Sequence, residues 1–301
     1  MSNAVVRAIE GLVPGGAAGG ELPRGGRVLR WVEAGGGPVT VVLDAACGTS
    51  ALTWAPIMPA VAERARVVAY DRAGLGMSDP AAPLTAATAV EDLIALLTHI
   101  GRGPCVLVGN SWGGLLAQWV AWAAPELVAG LVLVDPAHEE FQPRVLCWAD
   151  GAFAHLAVAR HVLGAAERSL RENAARAAVR VSDDPQVQEL LIRAELDCHA
   201  HRHQARAAAV ENRMTRKQMP ALRRLRASSR LPDVPVVVLS ATQGLPKGMR
   251  ARWTSLQAEI AATAAQGEHV VVGDAGHFIH ESRPEAVAKA VLGVVERTGR
   301  G

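Results

Sequence analysis

The sequence predicts an α/β protein: a mostly parallel central sheet with helices on both faces, interrupted once by a block of inserted helices. Three observations predict it. Short Val- and Leu-rich runs alternate with helical patterns over most of the 301 residues, and runs apolar on both faces belong to strands that helices cover from both sides. From 137 to 231 that strand signal vanishes, Ala, Arg, Leu and Glu dominate, and strands resume at Pro235. The length suits one core with an insertion.

Residues 1–26, rich in Gly, Ala and Pro, are expected as a loosely held N-terminal arm. Arg27 to Glu33 reads as a strand, and Gly35-Gly36-Gly37 as its hairpin turn. Strands are then expected at 39–44, 66–71, 105–110 and 130–135, with helices near 52–63, 86–100 and 112–124 between them. Val90, Leu93, Ile94, Leu97 and Ile100 keep the spacing of an apolar helix face laid on a sheet. After the helical block, 235–239 is a strand whose proline is tolerable at its first position. Lys247 to Ala265 reads as a helix, 269–273 as the last strand and Arg283 to Glu296 as the closing helix. No internal repeat is visible.

Composition restricts the function classes. A formal net charge of +2 gives no reason to expect nucleic acid or a membrane surface as a partner. Cys47, Cys105, Cys147 and Cys198 are widely spaced and match no zinc pattern, so reduced thiols are expected. Candidate apolar stretches are interrupted by Gln118 or Glu126 before reaching membrane-spanning length. Arg7, Glu10 and Pro14-Gly15-Gly16 break any leader-like pattern, and a cytoplasmic location is expected.

The chemistry is carried by Gly109-Asn110-Ser111-Trp112-Gly113, set between the strand that ends near Val108 and the helix that begins after Ser111. This is the sequence form of a nucleophile elbow. Glycines two residues either side of a serine let the backbone adopt a strained turn without striking the adjoining strand and helix, and the turn lifts the hydroxyl clear. The amide of Trp112, at the helix N-terminus, would then face an oxyanion. Downstream, the strand Leu131–Val134 ends at Asp135, and His269–Val272 leads through a Gly-rich loop to His277. Sites in open α/β sheets form at that edge. Upstream, Asp44-Ala45-Ala46-Cys47-Gly48-Thr49 is a small-residue loop whose backbone, most plausibly the Cys47 amide, would supply a second oxyanion donor.

With these motifs in that order, the chain resembles the α/β-hydrolase superfamily, in particular its capped esterase-like and lactonase-like members, from about Val28 to Val295. Tyr70-Asp71-Arg72-Ala73-Gly74-Leu75-Gly76-Met77-Ser78-Asp79 is similar to the turn after that family's fourth strand, and Gly276-His277-Phe278 to its histidine loop. The resemblance implies an α/β-hydrolase core at 27–136 and 232–301, with a helical cap at 137–231. It also implies Ser111 as nucleophile and His277 as base. The sequence departs from the family at three points. Ala45-Ala46 stands where His-Gly is frequent, and Asn110 where His or Gln is frequent, as in some carbon-carbon bond hydrolases. After the strand at 235–239, Ser240 to Gly244 carries no carboxylate, so Asp135 after the sixth strand is expected as the acid.

The expected function is a serine hydrolase that cleaves an ester, thioester or lactone of a small, partly apolar molecule. Ser111, His277 and Asp135 would form the triad, with no cofactor and no metal. Asn110, Gly48, His138 and Phe278 are expected at the substrate. Carbon-carbon hydrolysis, lyase chemistry, acyl transfer and non-catalytic ligand binding stay open, as does a homodimer. Asp274 is a rival acid on the histidine's own loop, with turn capping the favoured role. Glu195, His199 and His203 would share a face of one helix, but a solvated face is favoured over a metal site. The basic run from Arg216 to Arg230 would either attract an anionic substrate or lie on a solvated face.

Overall fold

The computed structural model describes residues 4–81, 83–141, 166–200 and 202–299. Eight strands form one sheet: β1 (Ala17–Arg24), β2 (Arg27–Ala34), β3 (Thr40–Asp44), β4 (Arg66–Asp71), β5 (Cys105–Asn110), β6 (Val128–Val134), β7 (Pro235–Ala241) and β8 (Gln266–Val272). Their order is β1-β2-β4-β3-β5-β6-β7-β8. β1 and β2 run antiparallel to their neighbours and the remaining pairs are parallel.

Along the central strands the side chains alternate between two cores. Val41, Leu43, Val67, Val106 and Val108 face one layer, and Val42, Val68, Leu107 and Leu131 the other. Burying each such side chain contributes about 2 kcal/mol, and burial on both faces explains why these runs are apolar throughout rather than alternating. The first layer holds α1 (Ala4–Leu12), α2 (Met58–Ala62) and α10 (Pro284–Thr298), and the second α3 (Ala86–Ile100), α4 (Trp112–Ala123) and α8 (Lys247–Thr263). Helix α3 opens with a reciprocal capping box between Thr85 and Thr88. Between β6 and β7 come α5 (Ala166–Val181), α6 (Pro185–His199) and α7 (Arg202–Ser228). The short α9 (Ile279–Ser282) follows β8. Residues 142–165 of the expected helical block, with Cys147, lie outside the described residues, as does His201.

The expected arm at 1–26 is instead a helix and an edge strand. Val5, Ala8 and Ile9 of α1 are buried, and α1 packs on α6. The glycines that suggested looseness are punctuation and clearance: the ring of Trp31 lies where a Cβ on Gly20 would be. The hairpin also turns elsewhere than expected. Gly25 and Gly26, with φ of 54° and 78°, join β1 to β2, as a turn needing two left-handed residues demands. Gly35 and Gly37 instead pass against the backbone of residues 62–65, where a Cβ would collide, and carry β2 past β4 to β3. The last strand starts three residues earlier than expected. As an edge strand it carries exposed Gln266, Gly267 and Glu268, whose polarity hides the strand signal.

Candidate functional site

Ser111 is the N-cap of α4, with φ 52° and ψ −111°. This backbone costs on the order of 1–3 kcal/mol in a non-glycine residue. It persists because β5 and α4 meet too closely for side chains. A Cβ on Gly109 would strike the Gly113 backbone, one on Gly113 the Asp44 carbonyl, and one on Gly114 would stand 2.9 Å from the Gly109 carbonyl oxygen. The Ser111 amide donates to the Val134 carbonyl at 3.1 Å, and the Ala137 amide donates to the Ser111 carbonyl at 2.9 Å. The elbow is thereby tied to both sides of Asp135.

Asp135 also has a positive φ, 42°, and its side chain is buried. Its Oδ2 lies 2.7 Å from Nδ1 of His277. Its Oδ1 accepts from the Ala241 amide at 3.2 Å, Arg250 Nη1 at 3.1 Å, Trp253 Nε1 at 3.0 Å and Gln257 Nε2 at 3.1 Å. Burial pushes the carboxyl pKa up, but the bond from His277 and the charges of His277 and Arg250 outweigh it and hold the group below the usual carboxylate range. An ionised carboxylate can only accept, so Nδ1 of His277 is the donor in this contact. The imidazole is about one-third exposed, at 35%.

Arg250, Trp253 and Gln257 went unrecognised in the sequence. They sit at i, i+3 and i+7 on α8, a polar stripe on a helix read only for its length. Ser240, where the carboxylate is missing, bonds Gln257 Oε1 and so turns the amide nitrogen toward Asp135. The rival Asp274 points away: its side chain is 82% exposed, its nearest cation is Arg283 at 4.0 Å, and its φ of 52° marks a turn.

The residues expected at the substrate have the following partners in the structure. Asn110 is fully buried and donates from Nδ2 to the Val134 carbonyl at 2.8 Å and the His277 carbonyl at 3.1 Å. It holds the histidine loop against the elbow. The Gly48 amide donates to Glu211 Oε2 at 2.7 Å, and a Cβ there would lie 2.8 Å from that of Ala208. Gly48 therefore serves the approach of α7. His138 is buried and accepts from the Glu140 amide at 3.1 Å; burial pushes its pKa down to about 4, which leaves it neutral at pH 7. It is not at an open pocket mouth. The ring of Phe278 stands edge-on to His277, centroids 5.4 Å apart, and lines a cavity of about 430 Å³ with Thr49, Leu52, Ala174, Leu191 and Glu281, which Ser111 and His277 do not line.

Two arginines of the basic run are neutralised by carboxylates just beyond β6. Arg226 of α7 pairs with Glu139 and donates to Gln118 Oε1 at 3.0 Å, while Arg223 pairs with Glu140. Glu195, His199 and His203 do not share one helix, because α6 ends at His199 and α7 begins at Arg202. No helix among the described residues is long and apolar enough to cross a membrane.

The loop after β3 is held from beneath. Arg72 is buried and pairs with Asp44 and with Glu211 of α7, while Tyr70 donates to Asp44 Oδ2 at 2.8 Å. Asp71 accepts from the amides of Ala51 at 2.6 Å and Met77 at 2.9 Å. Behind the histidine loop, His280 stacks on Trp54 with ring centroids 4.1 Å apart and contacts Thr53 Oγ1 at 2.9 Å.

Residues 35–290 match the family model described as the alpha/beta hydrolase family. The lipase LipV of Mycobacterium tuberculosis is 49% identical over 71 residues, which are 24% of this chain and 27% of that protein. The chain matches less than half the length of the first curated relatives. Among solved structures, the epoxide hydrolase CorEH superposes with a TM-score of 0.69 at 20% identity, covering 93% of this chain and 99% of that one. E-2-(acetamidomethylene)succinate hydrolase gives 0.65 at 21%, with the same coverage. At these identities the structures speak for the fold, while the family model spans strands β3 to β8, the elbow and the histidine loop: the chain belongs to the alpha/beta hydrolase family.

Proposed function

We propose that this chain is a serine hydrolase acting on an ester, thioester or lactone of a small, partly apolar molecule. The observation that carries the reading is the 2.7 Å contact of His277 Nδ1 with an ionised, five-fold hydrogen-bonded Asp135, beside a serine held at φ 52°. A serine hydroxyl alone is a poor nucleophile. With its Nδ1–H donating a hydrogen bond to Asp135, His277 has Nε2 to take the Ser111 proton as the hydroxyl attacks a carbonyl carbon. The imidazolium so formed is stabilised by Asp135 and protonates the leaving alcohol, thiol or alkoxide. Water then repeats the cycle on the acyl-serine, and the acid departs. The negative oxygen of each tetrahedral intermediate would be met by the amides of Cys47 and Trp112, each worth about 3 kcal/mol.

The partial match is to LipV, which is named a lipase, and the Phe278-lined cavity, with Leu52, Ala174 and Leu191 on its wall, suits a partly apolar group. The helices α5 to α7 would act as the cap over the site. Asn110 and the place of the acid after the sixth strand keep carbon-carbon hydrolysis as the alternative; Asn110 is buried and donates to two backbone carbonyls.

The test is Ser111→Ala, assayed with p-nitrophenyl acetate and a fluorophosphonate probe. Hydrolysis and covalent labelling should both be abolished while the thermal midpoint is not lowered. A labelled Ser111→Ala protein would defeat the proposal.

A further inference from the structure

Over three successive turns helix α7 reaches the segment after β4 and the loop after β3. Gln204 Oε1 accepts from the Gly76 amide at 2.6 Å, Ala207 and Ala208 fill the space over Gly74 and Gly48, and Glu211 accepts from the Gly48 amide at 2.7 Å. Asn212 adds a contact of 3.5 Å from Oδ1 to the Cys47 sulfur. Contacts spaced by about one helical turn place one face of α7 flat on these two segments.

Glu211 is the centre of this contact. Its carboxylate takes Arg72 Nε on Oε1 at 2.7 Å and Arg72 Nη2 on Oε2 at 2.9 Å, a two-pronged pairing that fixes the guanidinium plane. So oriented, Arg72 donates from Nη1 to the Ala45 carbonyl at 2.8 Å and from Nη2 to the Ala46 carbonyl at 2.7 Å. The Ala46 carbonyl and the Cys47 N–H belong to one peptide unit, and in a planar trans unit the two point in opposite directions. Drawing the Ala46 oxygen toward Arg72 therefore sets the Cys47 N–H facing away from it. The next unit is fixed at its other end, because the Gly48 N–H points to Glu211.

We propose that Glu211 is a positioning residue for the oxyanion: through Arg72 and the Gly48 amide it holds the two peptide units on either side of Cys47. The Ala46 carbonyl also accepts from the Thr49 amide at 3.2 Å and the Thr49 hydroxyl at 2.9 Å, and α7 adds the contacts that orient Arg72 and the Gly48 amide, so seating of the inserted helices and readiness for chemistry are coupled. This inference rests on the serine-hydrolase reading. It concerns the transition state rather than substrate recognition, since an amide aimed at a developing negative oxygen acts on kcat more than on KM.

The experiment compares the wild-type chain with Glu211→Ala, Glu211→Gln and, as a blank, Ser111→Ala. It measures kcat and KM for p-nitrophenyl acetate, inhibition by a trifluoromethyl ketone whose adduct carries an oxyanion, and the thermal midpoint. Glu211→Ala should lose about a hundredfold in kcat with KM within about threefold, and the ketone should weaken in parallel. Glu211→Gln keeps one acceptor for Arg72 and should recover about tenfold of that loss. Should Glu211→Ala fail to fold, the isosteric Gln variant decides. Folded variants with kcat within about threefold of wild type, or a loss seen only in KM, overturn the inference while the serine-hydrolase reading stands. A wild-type chain that neither hydrolyses the ester nor labels with a fluorophosphonate overturns both.

Discussion

Replacing Asp135 by asparagine isolates the role of its charge, and the hydrogen bonds determine how the new side chain must sit. Oδ1 of Asp135 accepts from Ala241, Arg250, Trp253 and Gln257, so the amide oxygen has to remain there. The amide nitrogen then takes the place of Oδ2, 2.7 Å from Nδ1 of His277. Two donors cannot share that contact, so His277 must move its proton to Nε2, where a lone pair is needed to accept from Ser111. Loss of the correct tautomer in other triads costs about 10⁴ in turnover, or about 5.5 kcal/mol in activation free energy. The loss of charge beside buried Arg250 should cost only about 1–3 kcal/mol in stability. Steady-state hydrolysis of p-nitrophenyl acetate with a circular-dichroism melt measures both quantities, and proton–nitrogen spectra of the His277 ring report the tautomer. A folded Asp135→Asn protein with kcat/KM within about tenfold of wild type, or with the His277 proton still on Nδ1, would refute the reasoning.

Removal of His277 by alanine should cost activity on the scale of losing Ser111, and the Ser111→Ala, His277→Ala double variant should be scarcely worse than either single one, because such residues act as a unit; multiplicative losses would show that they do not cooperate. Trp253→Phe keeps the ring that packs edge-on against Phe141 at 4.5 Å but deletes one of the donors that orient Asp135. It should lower kcat by about tenfold, with the pH–rate profile displaced; unchanged kcat and profile would make that indole a packing group only. The buried His280 is pushed down to about 3 by burial and then by the nearby His277, against about 6.5 unfolded. With the folded pKa below the unfolded one, the unfolded chain binds the proton first. Stability is therefore full above about pH 6.5 and falls, by about 1.4 kcal/mol per pH unit for this group, as the pH drops toward 3. Melts of wild type and His280→Gln over that window should show a shallower fall in the variant, and parallel curves would exclude the histidine as the cause.

Some of the site's structure is local and was legible on that account. Glycine on both sides of Ser111 is demanded by close approach of β5, α4 and β3, and that demand is written in five consecutive residues. The strands β3 to β7 announce themselves because both their faces are buried. Asp135 was expected because it closes the sixth strand, where some members of the resembled family place the acid, and its contact with His277 spans 142 positions. The arm at 1–26 was misread because the glycine content of β1 records clearance for Trp31 rather than freedom.

The sequence by itself determined the order of the core elements from β2 onward and the strained elbow, which follow from periodicity and from backbone demands within a few residues. The resemblance of its motifs pointed to the alpha/beta hydrolase family and to Asp135 and His277. Only the tertiary structure decided what surrounds them. It turned Asn110 from a substrate contact into a brace for His277, gave the Gly48 amide to Glu211 across 163 positions, and gathered Arg250, Trp253 and Gln257 on Asp135. The physical reason is the reach of the interaction. A hydrogen bond is satisfied by whichever donor the fold brings within about 3 Å, and a buried carboxylate or amide gives no sign in its own sequence of which distant residue that will be.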